Sequence, residues 1–217
     1  MGKIHAGLGR LAGNSRVTSP VAEMIDAVFD VSGDTIPSSY HFDLWESLVR
    51  CMPNLERDQA IGVIPLRTTT SGDGMLLPKR AKLALRLPDE LSTQAAALSG
   101  LGLKIGNSIL QLGSFKLRAI QPYPTLHAHL VNTDDDEISF VNEVNERLAE
   151  LGINNAKLIC GMRNHLAFAS HTISGFSLVI HDLKPEDSLR LQYAGLGTDR
   201  RYGCGIFVPY KVISDLS

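Results

Sequence analysis

Apolar positions along the chain recur with two different periods, and the switches between them set the predicted elements. From Val21 to Val31 the pattern alternates, with Ile25, Phe29 and Val31 on one face, which predicts a strand. Gly33-Asp34 and Pro37 mark a turn. Ser38 or Ser39 then caps a predicted helix from about Tyr40 to Cys51. Its Phe42, Trp45, Leu48, Val49 and Met52 keep helical spacing, and Pro53 stops it. Ile61 to Leu66 and Ala81 to Leu87 read as strands around a polar, glycine-containing loop. Asp89 starts a second helix to about Ser99, and a strand or hairpin spans roughly Leu103 to Ile120.

The pattern then restarts. Thr125 to Val131 predicts a strand with His127 and His129 on one face. Asp134 and Glu137 have capping-box spacing ahead of a helix to Leu151, with the apolar stripe Ile138, Val141, Val144, Leu148, Leu151. Lys157 to Cys160 and Phe176 to Ile180 predict strands, and Pro185 suits the first position of a short helix. Ile206 to Ile213 predicts a closing strand. The second half therefore reads β-α-β-β-α-β, the ferredoxin-like order, and the first half fits it less regularly. The expected class is α+β with tandem ferredoxin-like modules. Residues 1–20 form a small, polar arm, 21–122 one module and 123–217 the other.

Composition adjusts this picture in three places. The net charge of −2 speaks at first against nucleic acid. Residues 132–150, however, hold seven acids and one base, so that segment is −6 and the remainder is −2 + 6 = +4. Basic residues recur at Lys79, Arg80, Lys82 and Arg86, at Lys116 and Arg118, and at Arg200 and Arg201. Phosphate binding depends on local positive surface rather than on net charge. Cys51, Cys160 and Cys204 are odd in number and far apart, which argues against a disulfide framework and favours a reducing cytoplasm. No apolar run approaches the roughly 20 residues of a membrane span, and the first residues lack a signal's apolar core.

The candidate chemistry concentrates at two places. Gly195 to Gly205 surrounds Arg200 and Arg201 with four glycines just before the last strand. Glycine allows close backbone approach, and arginine's fork of donors suits phosphate and base edges. The loop reads as a phosphate cradle or as a solvent-exposed hairpin. His41 falls in the first turn of the first helix, where anions are attracted, and histidine moves protons near neutral pH. It could serve RNA cleavage in which a ribose 2′-hydroxyl attacks the adjacent phosphorus, and neighbouring Tyr40 could add a hydroxyl. The same position also suits an ordinary amphipathic-helix residue. His127 and His129 could bind a metal, but no third ligand has matching spacing. Arg163, His165 and His171 could touch RNA. Gly7-Leu8-Gly9-Arg10-Leu11-Ala12 has dinucleotide-fingerprint letters without a preceding strand, and no phosphate-loop or nucleophile-elbow motif occurs.

The C-terminal glycine loop before a final strand, on two ferredoxin-like modules, resembles the RAMP superfamily of CRISPR-associated proteins. The segment Phe29-Asp30-Val31-Ser32-Gly33-Asp34-Thr35-Ile36-Pro37-Ser38-Ser39-Tyr40-His41, followed by Leu44, Leu48 and Pro53, is similar to the Myxococcus-type repeat-processing endoribonucleases. That resemblance implies His41 as general acid/base, with Tyr40 as a candidate helper. It implies metal-independent cutting of CRISPR precursor RNA at the base of a repeat hairpin, leaving a 2′,3′-cyclic phosphate, with no cofactor. It also implies that the enzyme stays on the 3′ hairpin among the subunits of a surveillance complex. RNA is expected to meet Arg80, Lys82, Arg86, Arg163, Arg200 and Arg201, and the backbone at Gly197, Gly203 and Gly205. Gly62-Val63-Ile64-Pro65 lacks a histidine the pattern would carry, and no tryptophan follows Pro53. The alternatives are a non-cleaving RNA-binding subunit of the same superfamily, or an unrelated ferredoxin-like regulator or metal binder.

Overall fold

Strand β1 (Met24–Ser32) carries Ala27, Phe29 and Val31 into the first core, the alternation read from the sequence. The structure is a computed structural model, and it describes residues 22–71, 74–168 and 171–210. The arm expected over residues 1–20 and the last residues of the expected closing strand lie outside the described residues.

After β1 come β2 (Thr35–Pro37), α1 (Tyr40–Cys51), a 3-10 turn (Pro53–Arg57), β3 (Gly62–Ile64), β4 (Thr69–Ser71) and β5 (Gly74–Leu76). Then follow β6 (Lys82–Pro88), a 3-10 turn (Asp89–Leu91), α2 (Ser92–Ala96), β7 (Gly102–Ile105) and β8 (Ser108–Ala119). The main sheet of this half is antiparallel in the order β3-β6-β1-β8-β7. The second half comprises β9 (Leu126–Asn132), α3 (Glu137–Glu150), β10 (Lys157–Phe168), β11 (His171–His181), α4 (Pro185–Ala194), a 3-10 turn (Arg200–Tyr202) and β12 (Val208–Pro209). Its sheet runs β10-β11-β9-β12. In both halves the second and third sheet strands pair at one side; β9 lies between the third and fourth, and β1 lies between β6 and β8, with β7 added at the edge. That is the ferredoxin-like arrangement twice over, with β2, β5 and β4 forming a small extra sheet.

The helices lie where their apolar stripes require. Leu44 and Leu48 of α1 join the first core with Phe29, Leu83 and Leu85. Phe140, Val144 and Leu148 of α3 join the second with Phe176, Leu178 and Ile180. A third cluster, Phe42, Leu130, Ile173 and Cys204, bridges the halves and receives Tyr202. It brings the start of α1, strand β9 and the glycine loop together.

Four expectations need correction. The cap of α3 is Asp136, whose Oδ1 accepts from the amides of Ile138 at 2.9 Å and Ser139 at 3.0 Å, rather than the Asp134–Glu137 box. Strands β10 and β11 run far beyond 157–160 and 176–180, because their pairing continues through polar positions with little alternation to reveal it. The second helix is a 3-10 turn plus five residues of α2. The described part of the closing strand is only Val208–Pro209.

Candidate active site

Ser39 precedes α1 without donating or accepting a side-chain cap, and Tyr40 and His41 open the helix. The Tyr40 ring is 3 % exposed. Its hydroxyl accepts from the Leu66 amide at 3.0 Å. Burial, the larger effect, pushes the phenol well above its usual range, against the lowering by that hydrogen bond. Tyr40 is thus a neutral core phenol. Its oxygen is engaged inside the first core, which speaks against the expected helper role.

His41 is half-buried at the edge of the same core, with its ring stacked 3.9 Å from that of Tyr40 at 25°. Burial is the main influence on it and pulls its pKa down to about 4. A hydrogen bond from the ring to the Tyr202 carbonyl works the other way, and the neighbouring His129 adds to the lowering. At neutral pH the imidazole is uncharged and can accept a proton. An anion at the first turn of α1 would favour its protonated form.

Tyr202 comes from the glycine loop. Its ring lies 4.5 Å from that of Phe42, and the Arg201 guanidinium stands 4.8 Å over it. The loop therefore docks on the start of α1. Two glycines make that docking possible. Gly205 has φ +64, and a Cβ there would sit 1.8 Å from the Leu196 carbonyl oxygen. Gly203 has φ +92, and a Cβ there would lie 2.8 Å from Pro65. Gly203 thus admits Pro65 of the first half, whereas Gly205 admits the Leu196 backbone within the loop itself. Gly197 packs beside Asn132, whose Oδ1 accepts from the Thr198 amide at 2.8 Å.

Strand β9 sends Leu126, Ala128 and Leu130 inward and leaves His127 half-buried and His129 exposed on its other face. The His127 ring lies 5.7 Å from that of Tyr210. Among the described residues, no three His, Cys, Asp or Glu side chains are grouped as a metal ion would need. Burial pushes the Cys204 thiol up to about 12, which makes it a poor nucleophile.

A family model described as Cas6 CRISPR matches residues 25–212. The CRISPR-associated endonuclease Cas6 of Myxococcus xanthus is 34% identical over 187 residues, covering 85% of this chain and 81% of the relative. The chain belongs to the Cas6 family of CRISPR-associated endoribonucleases. Solved structures share the fold. A CRISPR-associated Cas6 protein has a TM-score of 0.65 at 11% identity, covering 87% of this chain and 100% of that one. A Cas6-related protein from Pyrococcus furiosus reaches 0.63 at 13%, covering 89% and 100%. An RAMP protein described as binding different RNA substrates reaches 0.60 at 12%, covering 84% and 98%.

In this Cas6 chain the basic residues singled out from sequence separate into exposed and engaged groups. Arg80 and Arg201 are exposed, and Arg201 also faces Asp199 at 3.6 Å. Lys82 is exposed but paired with Asp30. Arg163 lies over the Phe176 ring at 4.5 Å and donates to the Asp135 carbonyl, which ties it to the lead-in of α3. Arg200 is 5 % exposed and donates to the Ala194 carbonyl. Desolvation, the main cause, lowers its pKa to about 10. Arg86 is 1 % exposed and ion-paired with Asp26. Burial removes both Arg86 and Arg200 from the surface where RNA was expected, which corrects those two readings.

Sequence reasoning missed Asp26 and Tyr202. Asp26 had a signal, a carboxylate inside an apolar strand. Tyr202 had none beyond lying beside Arg201. Among the described residues, no helix is long and apolar enough to cross a membrane.

Proposed function

We propose that this Cas6 chain cuts CRISPR precursor RNA within the repeat without a metal ion, using His41. The observation that carries this reading is the placement of His41 at an uncapped helix start, with its imidazole held uncharged against the Tyr202 backbone. In this scheme His41 takes the proton of a ribose 2′-hydroxyl as that oxygen attacks the adjacent phosphorus. The bond from phosphorus to the 5′-oxygen breaks, that oxygen takes a proton from solvent water, and His41 returns its own proton to solvent. The products are a 2′,3′-cyclic phosphate and a 5′-hydroxyl. Amides of the first turn of α1 and the exposed Arg201 supply the positive potential that the phosphorane requires.

RNA contact falls to Arg201 and Arg80, with Lys82 available once its pairing with Asp30 is exchanged for phosphate. Residues 21–122 and 123–217 act as the two modules that flank the bound hairpin. The chain remains on the 3′ hairpin of its product and enters an effector complex with it. Incubation with a hairpin repeat RNA in EDTA tests the reading. Wild type is expected to release a cyclic-phosphate product and His41→Ala to release none. Retention of RNA without product by wild type would instead identify a non-cleaving subunit.

A further inference from the structure

Arg86 reaches out of the first half into the second. Its Nε and Nη2 donate to the two oxygens of Asp26 at 2.9 and 3.3 Å. Its Nη1 donates to the carbonyls of Gln192 at 3.1 Å and Phe207 at 2.7 Å. Gln192 lies in the last turn of α4, and Phe207 immediately precedes β12. One buried guanidinium therefore holds both ends of the glycine loop. Its cation also suits the carbonyl-rich end of α4.

Within the loop, Arg200 repeats this contact by donating to the Ala194 carbonyl. Gly205 donates to the Leu130 carbonyl at 2.7 Å and accepts from the Leu196 amide at 3.1 Å. The part of the loop that remains is the Arg200–Tyr202 turn, which faces α1. Its Tyr202 ring meets the Phe42 ring, and the Tyr202 carbonyl faces the His41 imidazole. A continuous set of contacts thus runs from β6 through the loop ends to the imidazole.

We infer that Arg86 is a positioning residue for His41, fixing where the Tyr202 carbonyl meets the imidazole by pinning the two ends of the glycine loop. An arginine is needed because four donors must be aimed at three acceptor groups in one plane. An ordinary ion pair with Asp26 would need only the charge. Asp26 already has a second cation, Arg118, at 2.9 Å from its Oδ2. The expected change in cleavage rate rests on the cleavage reading; the positioning of His41 does not.

Arg86→Lys separates the two roles, since it keeps a charge opposite Asp26 and cannot span both carbonyls. The measurement is an NMR titration of the His41 ring, assigned by its disappearance in His41→Gln. In wild type His41 is expected to titrate well below the ordinary histidine value of about 6.5. In Arg86→Lys, with an unchanged circular dichroism spectrum, its midpoint is expected to rise, because a loosened loop relieves the burial that lowers it, and burial outweighs the hydrogen bond lost from the Tyr202 carbonyl. Arg118→Ala removes a cation from Asp26 without touching the loop and is expected to leave His41 in place. With repeat RNA, Arg86→Lys is expected to lose about tenfold in kcat with KM nearly unchanged. An unmoved His41 titration in folded Arg86→Lys would overturn the inference. So would an equal shift in Arg118→Ala, which would trace the effect to the charge on Asp26. Arg86→Gln replaces the lysine variant if that does not fold. The titration needs no RNA, so inactivity of wild type would remove the cleavage reading and leave this inference standing on the NMR result.

Discussion

Asp26 on β1 and Arg86 on β6 stand directly opposite each other, and their side chains meet at 2.9 Å with almost no exposure to water. Asp30 and Lys82 form another same-face pair on these strands, at positions about half exposed. The register is shared, but the buried pair is also enclosed by Arg118 and two backbone carbonyls while the other faces solvent. Asp26→Ala leaves a buried arginine without its carboxylate and is expected to cost roughly 3–5 kcal/mol. Asp30→Ala is expected to cost less than about 1 kcal/mol. Urea unfolding at neutral pH checks both, and equal losses would refute the burial argument.

Tyr40 and His41 are neighbours with opposite assignments, and Tyr40→Phe separates them. Removing the hydroxyl leaves the buried Leu66 amide without its acceptor. The expected cost is about 1–3 kcal/mol in unfolding free energy. Cleavage by the folded variant is expected to stay within about twofold of wild type, because the lost oxygen takes no part in the chemistry. A tenfold or greater loss of kcat at a temperature where the variant is fully folded would restore Tyr40 to the mechanism.

The start and end of α1 were legible in the sequence because their signals are local: Pro37 and Ser39 before it, an apolar stripe within it, and Pro53 after it. The same locality exposed His41 at the helix start. The parity of β6 was legible too, since Lys82 and Arg86 do share a face opposite Leu83, Leu85 and Leu87. What covers that face at Arg86 was not legible. The end of α4 and Phe207 arrive there from more than a hundred residues away, and no local pattern encodes that contact. The glycine loop was legible as a place of close approach. That it meets Pro65 of the first half follows only from the docking of one half on the other, while at Leu196 the loop closes on itself.

Two glycines with similar backbone angles offer a controlled comparison. Gly100 has φ +84 and open space where a Cβ would stand, whereas Gly205 has φ +64 and the Leu196 carbonyl oxygen 1.8 Å away. Gly100→Ala is expected to cost about 1–2 kcal/mol, the strain of a left-handed conformation alone. Gly205→Ala adds a clash with backbone that cannot rotate aside. Its loss is expected to exceed that of Gly100→Ala by at least about 2 kcal/mol. Thermal unfolding checks the order, and cleavage should follow it, since Gly205 anchors the loop that meets His41. Equal losses would show that the loop yields without consequence.

The buried His41 also makes stability depend on pH in a definite direction. Its folded pKa of about 4 lies below the ordinary histidine value of about 6.5. Between these values the unfolded chain binds a proton that the folded chain does not, so acid favours unfolding. The contribution is complete above about pH 6.5, declines as pH falls toward 4, and changes little below that. Its size is on the order of 3 kcal/mol. His127 is shifted in the same direction by burial, so wild type alone would not isolate His41. The informative quantity is the difference between wild type and His41→Gln in urea unfolding at pH 7 and at pH 4.5. Wild type is expected to lose about 2 kcal/mol more than the variant over that interval. Parallel losses in the two proteins would mean that His41 is not held in its uncharged form.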